Sequence, residues 1–235
     1  LRLGFEFTAE AVRLGRPALR VSNLRAAFDQ FTVAAETEGS RAVAAVFGAA
    51  ADSLLATSPD DFAALRVAAA LRVDQADFAM RRGLHAEVAV TAAQAVELAR
   101  RVGDERTEAE AEFRRGVALR QQAEHDAARV HLQRALDLDR GADVGDVVVD
   151  GTSLQRRCLN DLAAICWGQG DPEGAERYLE QMRDLAVRQG NRSDEAVAIG
   201  NLGVLAEDRG DYALALGRYR RSLELAEAVG RRTGA

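Results

Sequence analysis

The stretch "CWGQGDPEGAERYL", from Cys166 to Leu179, decides the fold, because glycines this dense form either a phosphate-binding loop or a turn. Asp171 followed by Pro172 is typical of a helix start. The carboxylate caps the first turn, and proline at the first helical position has no N–H to leave unpaired. Gly170 allows the preceding helix to end with a positive φ. The stretch therefore predicts the turn of a helical hairpin.

This turn recurs along the chain at steps of 40, 47 and 40 residues, which align Gly83, Ala123, Gly170 and Gly210. The longer step contains "GADVGDVVVDGTS". Each repeated unit has the apolar spacing of two helices. In the last unit the pattern is carried by Leu202, Leu205, Leu214, Leu216, Leu223 and Leu225. A fixed period of this length predicts a repeat protein.

Three observations exclude a phosphate-binding loop. A P-loop needs a lysine after its second glycine, and this chain has no lysine. A dinucleotide-binding loop follows a β-strand, but "LNDLAAIC" before Cys166 has the apolar spacing of a helix. The same turn also recurs at Ala123 without the additional glycines.

The units resemble the tetratricopeptide repeat family, whose pattern is W-x₂-L-G-x₂-Y, then A-x₃-F and a closing proline. Leu202-Gly203 match L-G in the last unit, and Ala215 with Tyr219 match A-x₃-F. The earlier units fit through Leu162-Ala163, Ala175 with Leu179, Gly116, Ala128 with Leu132, and most weakly Val88, Ala92 and Ala95. We expect these small residues where the two helices of a hairpin cross closely.

The period of 40 residues exceeds the family's 34, and the closing proline is missing. This long form is similar to repeats in large bacterial regulators of the signal-transduction ATPase type. The stretch "NLRAAFDQ" at Asn23 resembles the start of their helical arm.

The resemblance implies an all-α fold: a right-handed superhelical solenoid of antiparallel helix hairpins, with about eleven helices. We expect degenerate helical repeats in residues 1–60, with a turn at Gly39. We expect four tetratricopeptide-like repeats in residues 61–235, with the chain continuing into a further repeat; one continuous solenoid is the alternative. "SPDDF" at Ser58 predicts a helix stop and restart, and "VVVD" at Val147 is a short strand pattern without a partner.

The net charge of −6 and the pI near 5.3 disfavour a general nucleic-acid surface, which needs a basic face. No apolar run is long enough to cross a membrane. Cys158 and Cys166 are eight residues apart on a predicted helix, a rise of about 12 Å. A disulfide requires Cα atoms under roughly 7 Å apart, so we expect free thiols and a cytoplasmic location.

The sequence contains no Ser, Cys or His set typical of a nucleophile, so we expect no enzyme activity, no cofactor and no metal. His85 and His125 lie one period apart at the turn position, where a packing role is expected. The aspartates of "DLDRGADVGDVVVD" do not match a calcium loop, which predicts a solvated acidic insertion.

The first helix of each unit is expected to line a concave groove. The repeat register places these residues there: Asp77, Phe113, Arg114, Arg120, Arg157, Asn160, Trp167 and Asn201. Arginine binds carboxylates through two hydrogen bonds, and asparagine can both donate to and accept from an extended peptide backbone. For Trp167, the only tryptophan, a place in the hydrophobic core is the favoured alternative.

These features predict a module that binds a protein or an acidic or extended peptide through Arg114, Arg120, Arg157, Asn160, Trp167 and Asn201. We expect it to be the sensor or assembly arm of a larger bacterial regulator in signalling and transcription regulation, without direct nucleic-acid or membrane binding. Whether it forms a homo-oligomer is left open. The alternatives are a self-contained regulator that senses a peptide or small ligand and, from another class, an all-helical metal-dependent enzyme.

Overall fold

The computed structural model describes residues 38–141, 148–149 and 152–233, and helices form most of these residues. Nine helices lie in these ranges, whereas about eleven were expected for the whole chain. They are α1 (Glu38–Thr57), α2 (Phe62–Arg81), α3 (His85–Arg101), α4 (Glu105–Gln121), α5 (His125–Gly141), α6 (Leu154–Gly168), α7 (Pro172–Gln189), α8 (Arg192–Asp208) and α9 (Tyr212–Thr233). The predictions for residues 1–37, including "NLRAAFDQ", lie outside the described residues.

The chain divides into two units, Leu1–Asp143 and Val144–Ala235, and the division falls within the longer repeat step. In the first unit, each of α1 to α4 packs against the helix that follows it, and α2 also contacts α4. In the second unit, α6 to α9 pack in the same sequential way. Each unit is thus a short stack of helical hairpins.

Aspartate side chains cap α2 and α7, the two helix starts that the sequence predicts. Asp171 accepts a hydrogen bond from the backbone N–H of Gly174 at 2.8 Å, and Pro172 is the first residue of α7. Asp61 caps α2 in the same way, which confirms the predicted stop and restart at "SPDDF". Gly39 differs from its prediction, because α1 begins at Glu38 and already includes it.

The hairpin turns require a left-handed residue, and the repeat register locates it correctly. Gly170 has φ +75°, a conformation that costs glycine little, and this confirms the predicted turn. Ala123 stands at the same register position and has φ +63°, although it carries a Cβ. The left-handed turn is therefore kept even where alanine replaces the preferred glycine.

A pair of two-residue strands precedes α6: β1 (Val148–Val149) and β2 (Thr152–Ser153). They are antiparallel, with Val148 opposite Ser153 and Val149 opposite Thr152. The expectation that "VVVD" lacks a strand partner was therefore wrong, because Val148 and Val149 pair with the two residues just before α6. Two residues a side do not alter the all-α class.

The small residues of the repeat pattern lie at close helix crossings, as predicted. A Cβ added to Gly116 on α4 would lie 2.7 Å from Cγ of Leu132 on α5. A Cβ added to Gly203 on α8 would lie 2.7 Å from Cε1 of Tyr219 on α9. Leu132 and Tyr219 both occupy the last position of A-x₃-F, so the two halves of the motif meet in space.

Candidate functional site

Two asparagines from successive first helices meet in the second unit. Asn160 on α6 and Asn201 on α8 are both half-buried. The Nδ2 of Asn201 donates to the Oδ1 of Asn160 at 3.0 Å. This bond uses one donor and one acceptor, so the Asn160 amide N–H groups and the Asn201 carbonyl retain hydrogen-bonding capacity.

A cavity of about 160 Å³ lies beside this pair. Its lining residues come from α6, α7 and α8: Asn160, Ala163, Ala164, Trp167, Ala175, Leu179, Asn201, Val204 and Leu205. Its polar groups are the two amides and the indole, and its remaining walls are aliphatic. Three of the predicted groove residues, Asn160, Trp167 and Asn201, thus line one pocket.

Trp167 is 45% exposed at the end of α6, so its favoured place in the hydrophobic core was wrong. Its Nε1 donates to Oδ2 of Asp208 at 2.7 Å, which fixes the orientation of the ring. The ring lines the pocket instead of filling the space between hairpins. The exposure of Trp167 follows from its position in the last turn of α6, just before the hairpin turn.

Glu207, which precedes Asp208 in the chain, accepts a hydrogen bond from the Tyr219 hydroxyl at 2.6 Å. We call Trp167, Glu207 and Asp208 together the rim. This bond is the main reason why the pKa of Tyr219 is raised above its usual value, and the charges of Glu207 and Asp208 act in the same direction. The sequence suggested Glu207, like Asp161, only as an acid with which the groove arginines could pair, and Asp208 was missed. The repeat register could have found one, since Glu207 stands 40 residues after Trp167.

The arginines nearest to these carboxylates bind other groups. Arg209 contacts Glu176 at 2.6 Å and Glu173 at 3.6 Å. Arg218 contacts Glu176 and donates to the Leu202 carbonyl at 2.7 Å. The hydrogen bond from Arg209 is the main cause of the lowered pKa of Glu176.

Arg157 and Arg120 are half-buried, and neither lines the pocket. Arg157 lies one turn before Asn160 on α6. Arg120 lies at the end of α4 in the first unit, at the register position that Trp167 occupies in α6. Whether these arginines share a surface with the asparagines stays a prediction.

Arg114 differs most from its expected role, because its side chain is only 2% exposed. Its Nη2 lies 3.4 Å from Asp77, and its Nη1 lies 3.6 Å from Glu110 and donates to that residue's carbonyl at 3.2 Å. Phe113, also expected in the groove, is 1% exposed. Both side chains turn into the contact between helices, where Asp77 attracts the guanidinium and apolar neighbours cover the ring.

A charge network with two buried carboxylates and two half-exposed arginines joins α3, α4 and α5, and the sequence did not predict it. Glu112 is 2% exposed and accepts from Nη2 of Arg100 at 2.8 Å, and its other oxygen lies 2.6 Å from Nδ1 of His131. Glu108 accepts from Arg100 at 2.9 Å and from Arg134 at 3.1 Å. The network links three successive helices of the first unit, and this geometry indicates a structural role.

A larger cleft of about 770 Å³ lies on the first unit. The Arg72–Asp52 ion pair is at one place on its wall, and apolar groups such as Val90 cover much of the rest. Arg115 and Glu97 also line it, and neither makes an ion pair with a described residue.

Neither a metal-ligand cluster nor a membrane-spanning helix occurs in the described ranges. Among the described residues, no three His, Cys, Asp or Glu side chains cluster as metal ligands would. No helix in the described ranges is both long and apolar enough to cross a membrane. The expected solvated acidic insertion, residues 137–150, is wrong for its first part, because Asp137 and Asp139 belong to α5 and Asp139 is buried. Asp143, Asp146 and Asp150 lie outside the described ranges.

Stacked hairpins with close small-residue crossings and left-handed turns define a helical-repeat protein. Residues 154–228, which include both asparagines and Trp167, match the family model of the tetratricopeptide repeat. No curated protein matches the chain significantly.

Solved structures of similar fold cover most of the chain. BtubC (BKLC) from P. vanneervenii is 17% identical with a TM-score of 0.76, over 97% of this chain and 90% of that one. The TPR-like repeats of a putative kinesin light chain from Podosopora anserina are 13% identical with a TM-score of 0.60, over 98% and 96%. MamA is 20% identical with a TM-score of 0.55, over 77% and 88%. At such identities the likeness concerns the fold alone.

Proposed function

We propose that this chain is a protein- or peptide-binding module, and that the α6–α8 face of its second unit binds an extended peptide segment. The observation that carries this proposal is the Asn160–Asn201 pair beside an apolar pocket. Side-chain amides bind a peptide backbone without regard to its sequence, and the pocket then selects one side chain. Stacked repeats commonly use such surfaces for binding.

The test is selection from a library of random peptides on the immobilised chain, followed by titration of the selected peptides. Because the sequence has a single tryptophan, the fluorescence of Trp167 reports binding at the pocket itself. Replacing both Asn160 and Asn201 with alanine should weaken binding by about tenfold or more, at about 1 kcal/mol for each hydrogen bond.

The double variant should still fold, because removing both partners of a hydrogen bond leaves neither group unsatisfied. Gln169→Ala with Gln189→Ala is the matched control, since these exposed amides of the same unit do not line the pocket. Equal binding by the asparagine variant and the control would contradict the proposal.

We further propose that the module is the sensor or assembly arm of a larger bacterial regulator of transcription, located in the cytoplasm. Its support is the resemblance of the 40-residue period and of "NLRAAFDQ" to the repeats of such regulators. The adjoining coding sequence tests this directly. A P-loop ATPase segment or a helix-turn-helix segment in the same reading frame is the expected result, and a frame encoding neither would contradict it.

Sensing of a small molecule is the second candidate, and one observation favours it. The cleft on the first unit is about 770 Å³, within the range of about 300–1,000 Å³ that is usual for small-ligand sites. A thermal-shift screen with small organic acids tests this candidate, with Arg115→Ala as the variant that should lose the shift.

A further inference from the structure

Beside the α6–α8 pocket, an oriented indole lies next to two carboxylates. Trp167 lines the pocket, Asp208 is bonded to its N–H, and Glu207 precedes Asp208 in the chain. Asp208 is held by the N–H of Trp167, and Glu207 by the hydroxyl of Tyr219. Both donors are neutral. Among the described residues, neither carboxylate makes an ion pair with an arginine. The rim therefore carries two negative charges that no nearby cation neutralises.

Arg209 and Arg218 could in principle neutralise these charges, but both bind Glu176. Arg209 is adjacent to Asp208 in sequence, yet its guanidinium contacts Glu176 and Glu173 instead. The charge of the rim is thus a consequence of how the neighbouring arginines pair.

Trp167 adds a second attraction for a cation. The ring is 45% exposed, and its N–H is fixed on Asp208, so the ring keeps one orientation next to the carboxylate. Arginine and lysine side chains bind over the face of an indole, and carboxylates nearby strengthen such contacts.

The pocket beside the rim has room for one apolar side chain. A cavity of about 150 Å³ lined by apolar groups binds a molecule the size of benzene, and this pocket is about 160 Å³. Its aliphatic walls include Leu179, Val204 and Leu205. Successive side chains of an extended peptide point to opposite sides. When one side chain fills the pocket, a side chain close to it in the peptide therefore reaches the rim.

We propose that the occupant of this face is an extended peptide with an aliphatic residue in the α6–α8 pocket and an arginine or lysine nearby, bound by Trp167, Glu207 and Asp208. The inference rests on the proposed peptide-binding function and gives it a specificity. It also revises the expectation of an acidic peptide for this part of the chain. Arg157 lies ten residues before Trp167, about 15 Å along α6, and would meet a different part of the peptide.

The test uses the peptide selection on three proteins: the wild type, Glu207→Gln with Asp208→Asn, and Glu224→Gln with Glu227→Gln. The first pair of substitutions removes two charges and keeps a carbonyl oxygen to accept from Tyr219 and Trp167. The second pair removes the same charge from α9, at positions that do not line the pocket. Circular dichroism and melting temperature verify that each variant is folded.

The wild type and the control should select peptides with an aliphatic residue and an arginine or lysine within three positions. The rim variant should bind those peptides about tenfold more weakly, with a difference that shrinks as salt is added. If the wild type selects peptides without a basic residue, or if the rim variant binds equally well, the basic specificity is wrong and peptide binding stands. If no peptide is selected at all, the proposed function and this inference are both wrong.

Discussion

The indole N–H of Trp167 donates to the carboxylate of Asp208 at 2.7 Å, across 41 residues of sequence. Asn160 and Asn201 are joined over the same separation at 3.0 Å. Both contacts connect α6 and α8, the first helices of successive repeats. They hold the two helices together at two positions along one side of the pocket. The pocket is therefore a product of the stacking of two hairpins.

The first prediction concerns the orientation of the tryptophan. Asp208→Ala should free the Trp167 ring, because the N–H loses its acceptor, and acrylamide should then quench its fluorescence more strongly. Asp208→Asn keeps an acceptor oxygen and should resemble the wild type. Since no other tryptophan is present in the chain, the signal is unambiguous. Equal quenching of all three proteins would show that the hydrogen bond does not hold the ring.

The second prediction concerns the close helix crossing at Gly116. Gly116→Ala would place a Cβ 2.7 Å from Cγ of Leu132 and 3.1 Å from its backbone nitrogen, so helices α4 and α5 must separate. The free energy of unfolding should fall by about 1–3 kcal/mol, as measured by urea denaturation.

Gly217→Ala on α9 is the matched control for that substitution. No atom lies within 4 Å of an added Cβ there, so only the helical preference of alanine acts. The control should be more stable than the wild type by about 0.5–1 kcal/mol. Two substitutions of the same chemistry should thus have opposite signs, and a gain in stability at Gly116 would contradict the crossing geometry.

The third prediction separates a structural arginine from a binding one. Arg114→Ala should lower the free energy of unfolding by about 1–3 kcal/mol, because it removes a buried side chain and leaves Asp77 and Glu110 with only the exposed Arg81 and Arg106 as partners. Arg106→Ala removes an exposed arginine 3.7 Å from the same Glu110 and should cost less than about 1 kcal/mol. Denaturation curves that coincide for the two variants would refute the structural role.

The sequence predicts the turns and the hairpins well because they obey local rules. Gly170 and Asp171 end one helix and begin the next through contacts within a few residues, and no distant part of the chain is needed. The small residue at Gly203 was also predictable, since its partner Tyr219 belongs to the same hairpin.

Side-chain direction was not predictable from the register alone. Arg114 and Asn201 occupy the same repeat position, at steps of 40 and 47 residues, yet Arg114 is buried and Asn201 is half-buried. The long arginine reaches back to Asp77 on α2, whereas the short asparagine stays beside Asn160. The register thus predicts the helix face, and the neighbouring helix decides where a long side chain ends.

The buried carboxylates of the first unit were also not predictable from the sequence pattern. Glu112, Leu159 and Ile199 share one register position, and all three are buried. An acid at an apolar position is acceptable only because Arg100 and His131 approach it from the two adjacent helices. Those contacts depend on packing between hairpins, which no local pattern contains.

The fourth prediction concerns pH and the Glu176 carboxylate on α7. The hydrogen bond from Arg209 is the largest cause that lowers the pKa of Glu176 below its ordinary 4.5, and the bond and charge of Arg218 add to it. A carboxyl with a lowered pKa in the folded protein stabilises the fold above the unfolded pKa. That contribution is lost as the pH falls through the folded pKa.

Glu176→Gln should therefore be less stable than the wild type near neutral pH, and the gap should close as the pH falls below 4.5 and through the lowered pKa of Glu176. Urea denaturation at a series of pH values measures both curves. Glu87→Gln on α3 is the comparison variant, because Glu87 is exposed and makes no ion pair with a described residue. It reports any general effect of replacing a glutamate.

A gap between wild type and Glu176→Gln that is the same at neutral and acidic pH would mean that the Arg209 contact does not stabilise the folded unit. In that case Arg209 would be able to form an ion pair with Asp208, and the negative charge of Asp208 would be neutralised.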